Sequence, residues 1–290
     1  MKTMIMSKHI NKYLSLIRPS QWLKNLLLLF PPFFGGRIFD PAVQKMIIPS
    51  LLSFSCAASC CYIINDIVDR EGDRHHPGKK NRPLVRGDVS VAFAAVLAAV
   101  LYIMAIFVSV QVSTRYEGYL IIYLLLTFSY SIYFKNIVIV DIFFIAFGFL
   151  IRVLAGGEAF HVNVSSWLFL TVFIVALFLA TGKRLGEIIM LGNDAAKHRN
   201  NLSQYTPAFL DGVLWFSAAA AIVMYALYTV ENKSEMIYTV PIAAFGLIRY
   251  VYKVKDGQGD PTRALLKDTQ ILGAGMLWIA VIGVILYGKK

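Results

Sequence analysis

Nine apolar blocks alternate along the chain with short polar segments, and the polar segments are mostly basic. The blocks are Gln21–Gly36, Met46–Ile64, Val91–Val112, Gly118–Phe134, Asn136–Ala155, Ser166–Gly182, Phe209–Val230, Met236–Tyr252 and Gln270–Gly288. Most approach the ~20 residues that an α-helix needs to cross about 30 Å of hydrocarbon. The pattern predicts an all-α polytopic membrane protein, nine transmembrane helices forming one domain over residues 1–290. The first block is short and contains Pro31-Pro32, which breaks regular helix geometry. Residues 1–18 carry charge without the short apolar core of a signal peptide, so they read as an N-terminal cytoplasmic segment.

Composition agrees with that pattern. Hydrophobic residues make up 58% of the 290 residues, charged residues 16%, and the mean hydropathy is +0.63. A soluble domain is closer to half apolar and a quarter charged. The net charge of +11 does not point to nucleic acid, because the cations sit between apolar blocks. There they orient a membrane protein and meet anionic head groups. With an N-terminus in the cytoplasm, 21 of the 28 Lys and Arg residues fall on the cytoplasmic side and six on the other, with Arg152 inside a block. That asymmetry supports both the orientation and the odd number of crossings. Cys56, Cys60 and Cys61 lie within one apolar block with no second cluster to complete a zinc site, and read as helix packing.

The densest chemistry follows the second block, where Asn65, Asp66, Asp69 and Asp73 form the pattern N-D-x-x-D-x-x-x-D, with Tyr62 just before it. If the helix continues through it, all five share a sector of about 100°. Three carboxylates so close repel one another unless a cation lies among them. Hard oxygen donors in a partly open array suit magnesium, which completes its shell with water and substrate phosphates. His75 and His76 are better read as loop residues than as ligands of so hard an ion. The loop beyond carries Lys79, Lys80, Arg82 and Arg86, and Pro and Gly let it fold back over an anion.

These motifs resemble the UbiA superfamily of intramembrane prenyltransferases. The acidic motif alone carries that likeness. Arg18-Pro-Ser-Gln-Trp-Leu-Lys24-Asn25, the D-R-H-H-P and N-R-P elements, Tyr130 to Lys135, Arg152 to Gly157 and Lys183-Arg184-x-x-Glu187 add to it. Together they resemble the branch that joins phosphoribose to a polyprenyl phosphate, over about Arg18 to Asp268. The resemblance implies a cavity opening to the cytoplasm, in the cell membrane. Asn65, Asp66, Asp69 and Asp73 would hold Mg2+ there. Lys24, Tyr62, Lys79, Arg82 and Lys135 would bind phosphoribosyl pyrophosphate, with Asp66, Asp69, Lys24 and Lys135 closest to the chemistry. Lys183, Arg184, Arg152 and Glu187 would serve the polyprenyl phosphate.

One departure matters. Prenyltransferases of the superfamily carry a second acidic motif after the sixth span, whereas this chain has Lys183 and Arg184 there, with Asp194 the remaining carboxylate. Two cations suit a bare lipid phosphate better than a second magnesium. The alternatives are prenyl transfer from a prenyl diphosphate and transport of an anionic metabolite. No inverted repeat supports the last. Arg152 has two readings: an interfacial Arg that snorkels, or one that faces the cavity. A homo-oligomer is compatible with the pattern.

Overall fold

The computed structural model describes residues 13–74, 80–192 and 201–288. No strand occurs among them, and every predicted block is helical. The predicted first crossing is a 3₁₀ segment, Pro19–Leu29, that runs into α1 (Phe30–Phe34). It is followed by α2 (Pro41–Val68), the single turn α3 (Arg70–Asp73), α4 (Val91–Val110) and α5 (Thr114–Ile132). The second half contains α6 (Val140–Ala159), α7 (Ser166–Leu191), α8 (Pro207–Asn232), α9 (Val240–Lys255), α10 (Pro261–Lys267) and α11 (Thr269–Tyr287). Helix starts follow local chemistry. Ser90, Ser113, Ser165, Thr206, Asp260 and Asp268 each accept a backbone N–H at an N-cap. Pro41, Pro207 and Pro261 occupy first-turn positions where no intrahelical donor is needed.

Among the described residues six helices are long and apolar enough to cross a membrane: α2, α4, α6, α7, α8 and α11. The other three predicted blocks depart for physical reasons. The first and eighth begin as 3₁₀ segments, Pro19–Leu29 and Ser234–Thr239, before turning α-helical. α5 carries Arg115 and Glu117 in its first turn. Boundaries also moved. α7 extends nine residues beyond the predicted Gly182, to Leu191, because Gly182 and Gly186 both keep helical geometry and the first glycine after them at positive φ is Gly192, at 52°.

The first crossing and α6 lie at the centre, with α2, α5 and α7 packed around α6. A β-carbon at Gly156 of α6 would stand 2.0 Å from the Leu28 carbonyl oxygen, so only glycine allows this approach. α4 and α11 lie outside. Of the most apolar window of α11 only 6% is buried, and Met276, Ile279 and Val284 point outward, as lipid-facing side chains do.

Candidate active site

The polar side chains of the first crossing, α2, α3, α6 and α7 gather above an apolar cavity. At the end of α2, buried Asp66 accepts through Oδ1 from Arg18 Nη2 at 2.5 Å and from Arg82 Nη1 at 2.9 Å. The same Arg82 nitrogen donates to Asp73 Oδ2. Lys135 Nζ donates to Asp69 Oδ1, and Asn65 Nδ2 donates to Asp69 Oδ2 at 3.0 Å. The unbroken helix expected through this motif is not present. α2 stops at Val68, Asp69 has left helical geometry (φ −86°, ψ 1°), and Asp73 belongs to α3. The break still brings Asp73 to Asp66, through Arg82. Burial, and then the like charge of Arg18, pull the Arg82 guanidinium below its ordinary value, against Asp66, Asp73 and Asp69.

Among the described residues no three His, Cys, Asp or Glu side chains already surround one point. The donor set nevertheless fits a hard dication. One cationic nitrogen bridges Asp66 and Asp73, which marks a point where two carboxylates already accept positive charge. Oxygens of Asn65 and Asp69 lie on the adjoining turn, and phosphate and water can complete such a shell.

Two buried arginines lie deeper. Arg152, 4% exposed, donates to Asn25 Oδ1 at 2.9 Å, Gly148 O at 2.6 Å and Tyr123 OH at 2.9 Å, and stacks over the Tyr123 ring. It forms no ion pair with a described residue. Its burial decides between the two readings of this residue: it faces the interior and does not snorkel. Arg184, 1% exposed, gives Nε to Asp141 at 2.6 Å, Nη1 to Glu187 at 2.8 Å and Nη2 to Tyr130 OH at 2.9 Å. Tyr205 completes this hub by donating to the other Asp141 oxygen at 2.7 Å. Burial, with the neighbouring Asp141 carboxylate, raises the Tyr205 phenol well above its usual value. The structure places Arg184 and Glu187 in a buried hub in which every guanidinium nitrogen has a protein partner, two of them carboxylates.

Lys24 and Lys183 differ from both arginines. Neither makes a hydrogen bond or ion pair with another described residue, although each lies within electrostatic reach of the other cation and of Asp260. Lys24 also feels Arg152 and Arg18, and Tyr62 feels Arg152, Arg18 and Lys183. Lys24 lines an apolar cavity of about 450 Å3 that runs from the first crossing towards Phe34, Tyr228 and Trp278. The structure thus brings Asn65, Asp66, Asp69, Asp73, Arg82 and Lys135 together, and sets Lys24, Tyr62, Arg152 and Lys183 within electrostatic reach of one another. Lys79 and Asp194, like His75 and His76, lie outside the described residues. Sequence reasoning missed Arg18 as a carboxylate partner, and also Asn25, Tyr123, Asp141 and Tyr205. Arg18 carries a local signal, being first in its basic motif, but the others touch partners 29 to 127 residues away.

A polytopic helical bundle with an acid–base site at one end and an apolar cavity beneath it is an intramembrane transferase scaffold. The chain belongs to the UbiA prenyltransferase family, whose sequence model matches residues 34–279. It is 32% identical to the decaprenyl-phosphate phosphoribosyltransferase of Mycolicibacterium smegmatis, over 93% of this chain and 91% of that protein. The enzyme of the same name from Corynebacterium glutamicum is also 32% identical, over 93% and 85%. Among solved structures, a UbiA homolog from Archaeoglobus fulgidus bound to GPP and Mg2+ superposes with a TM-score of 0.75. It is 20% identical, over 96% of this chain and 99% of that one, and so speaks to the fold. The chain is therefore a multi-pass membrane protein of this fold.

Proposed function

We propose that the protein transfers a 5-phosphoribosyl group from phosphoribosyl pyrophosphate to a polyprenyl phosphate, releasing pyrophosphate. The observation that carries this reading is a separation of charge. Carboxylates Asp66, Asp69 and Asp73 are all held by cations, while Lys24, Lys183 and Arg152 have no carboxylate contact; Lys24 lines an apolar cavity, and Lys183 and Arg152 are within electrostatic reach of Lys24. The first group suits a metal-bound diphosphate, and the second suits an anion attached to an apolar tail. The relatives named decaprenyl-phosphate phosphoribosyltransferase support the same substrates.

In this reading nine helices cross the cell membrane with the N-terminus and the site on the cytoplasmic side. Asn65, Asp66, Asp69 and Asp73 would hold Mg2+, which when bound neutralises charge on the leaving pyrophosphate. Arg18, Arg82 and Lys135 exchange their carboxylate partners for donor phosphate oxygens, and Lys79 joins them from the same loop. Lys24, Lys183 and Arg152 hold the lipid phosphate in line with the ribose anomeric carbon. A phosphate oxygen attacks that carbon as its bond to pyrophosphate breaks. The attacking oxygen is already anionic, so no side chain need remove a proton. Catalysis rests on alignment of two anions that otherwise repel, and on charge neutralisation in a water-poor site. Arg184 and Glu187 position Lys183 from the hub behind it.

Purified protein in lipid nanodiscs, given labelled phosphoribosyl pyrophosphate, magnesium and a polyprenyl phosphate, is expected to move label into the lipid phase. Asp69→Asn is expected to cut turnover by at least ~100-fold, the scale of losing one electrostatic stabiliser. Label that stays in water while a prenyl diphosphate reacts instead would overturn the phosphoribosyl reading. Near wild-type turnover in both Asp66→Asn and Asp69→Asn would remove the metal stripe from the mechanism.

A further inference from the structure

Ten residues along the chain from Lys24, the lining of the apolar cavity carries a cluster of four packed aromatic side chains: Phe34 of α1, Tyr225 and Tyr228 of α8, and Trp278 of α11. Phe34 meets Tyr228 edge-on at 5.5 Å and Trp278 at 5.8 Å, and Trp278 meets Tyr225 at 5.9 Å. The cluster is pinned by hydrogen bonds as well as packing. Trp278 Nε1 donates to Tyr225 OH at 2.9 Å, Tyr225 OH pairs with Thr239 Oγ1 at 2.6 Å, and Thr239 donates to Met236 O. Each indole or phenol rotation would leave a buried polar atom unpaired, so the wall cannot cheaply move aside.

We propose that this aromatic end is a ruler for the isoprenoid tail of the acceptor, an inference that rests on the polyprenyl-phosphate reading above. Lys24 fixes the phosphate end and the aromatic quartet fixes the other. Along the first crossing they are separated by five residues of 3₁₀ helix and five of α-helix, about 17 Å at 2.0 and 1.5 Å per residue. An isoprene unit adds four chain bonds, or about 4.5 Å by analogy with an extended peptide of three bonds per ~3.5 Å. The cavity therefore measures about four units. Units beyond the fourth meet the quartet, leave the cavity sideways into lipid and contribute nothing to selection. Trp278 contributes the most bulk to the stop.

The test measures kcat/KM for prenyl phosphates of two to ten isoprene units, with acceptor binding measured in parallel by thermal stabilisation in nanodiscs. Wild type is expected to gain severalfold per unit up to about four units and then level off. Trp278→Ala is expected to shift the levelling point upward by about one unit. Trp278→Phe, which keeps a ring, is expected to leave it in place. Tyr228→Ala serves the same purpose should Trp278→Ala fold poorly. A profile that keeps rising to ten units in wild type, or a levelling point unmoved in both folded alanine variants, overturns the ruler. Absence of phosphoribosyl transfer to every acceptor overturns the function reading instead, and the binding profile across the same series still decides on the ruler.

Discussion

Arg152 and Arg184 are both buried in the interior of the bundle, and their surroundings could hardly differ more. Arg184 has two carboxylates, Asp141 and Glu187, and two phenols close the shell around it. Arg152 has an amide oxygen, a carbonyl and a phenol, all neutral. Taking a charge out of water costs several kcal/mol, and a close opposite charge can offset it. At Arg184 the protein supplies that charge itself. At Arg152 it supplies only dipoles, which hold the side chain in place while leaving its field to act on whatever enters. Burial alone therefore does not separate an arginine neutralised by the protein's own carboxylates from one held only by neutral groups. The identity of the counter-charge does.

The two sites diverge most at Asp141. Asp141→Asn would leave the Arg184 charge with Glu187 alone, and breaking a buried pair in this way costs about 3–5 kcal/mol. Thermal unfolding in detergent should show this as a large loss of stability, ahead of any specific effect on substrate affinity. Arg152→Gln should behave in the opposite sense. It retains hydrogen-bonding capacity and removes a charge that no carboxylate offsets, so unfolding should change by no more than about 1–2 kcal/mol. Transfer should fall by about 100-fold, or roughly 2.7 kcal/mol of transition-state stabilisation. Equal loss of stability in the two variants would erase the distinction drawn here.

The smallest effect belongs to a third, outward-facing pair. Asp268 caps α11 and accepts from Arg249 Nη2 at 2.9 Å, and this hydrogen bond, followed by the Ile271 N–H, lowers its carboxyl to about 2. A carboxylate held down in the folded chain contributes stability that is complete above its unfolded value near 4. That contribution fades as pH falls from about 4 towards 2. A Asp268→Asn variant should lose the acid-side slope in that window and leave transfer at neutral pH unchanged, as measured by unfolding against pH.

Much of the bundle was legible because lipid imposes a simple rule, apolar runs of sufficient length. The acidic residues stood out because they are close in sequence, but helical spacing did not say which would meet: the helix breaks at Asp69, and Arg82 joins Asp66 to Asp73. The rest was not local. Nothing near Arg184 announces Asp141, which looks like an ordinary first-turn carboxylate on the preceding helix. Arg152 lies about 25 Å along a helix from Lys135 by rise alone. Its true neighbour is Asn25, 127 residues earlier, and only the packing of α6 against the first crossing brings them together. The 3₁₀ start of that crossing was likewise hidden, because the sequence shows a strained Pro31-Pro32 and not how the strain resolves.

The tight seam between α7 and the segment before α10 has a consequence for how the protein is made. A β-carbon on Gly186 would meet the Gly259 backbone at 2.6 Å, and Gly182 lies against the Tyr250 ring just as closely. Gly259 immediately precedes Asp260, the carboxylate within reach of Lys24 and Lys183. Chains are synthesised from the N-terminus, and early segments begin to fold before late ones exist. Every residue proposed to hold donor, metal or acceptor phosphate therefore emerges by Lys183, while the surface packed against α7 arrives some seventy residues later. Until α9 and the Gly259 turn insert, a nascent chain carries those side chains with one wall missing.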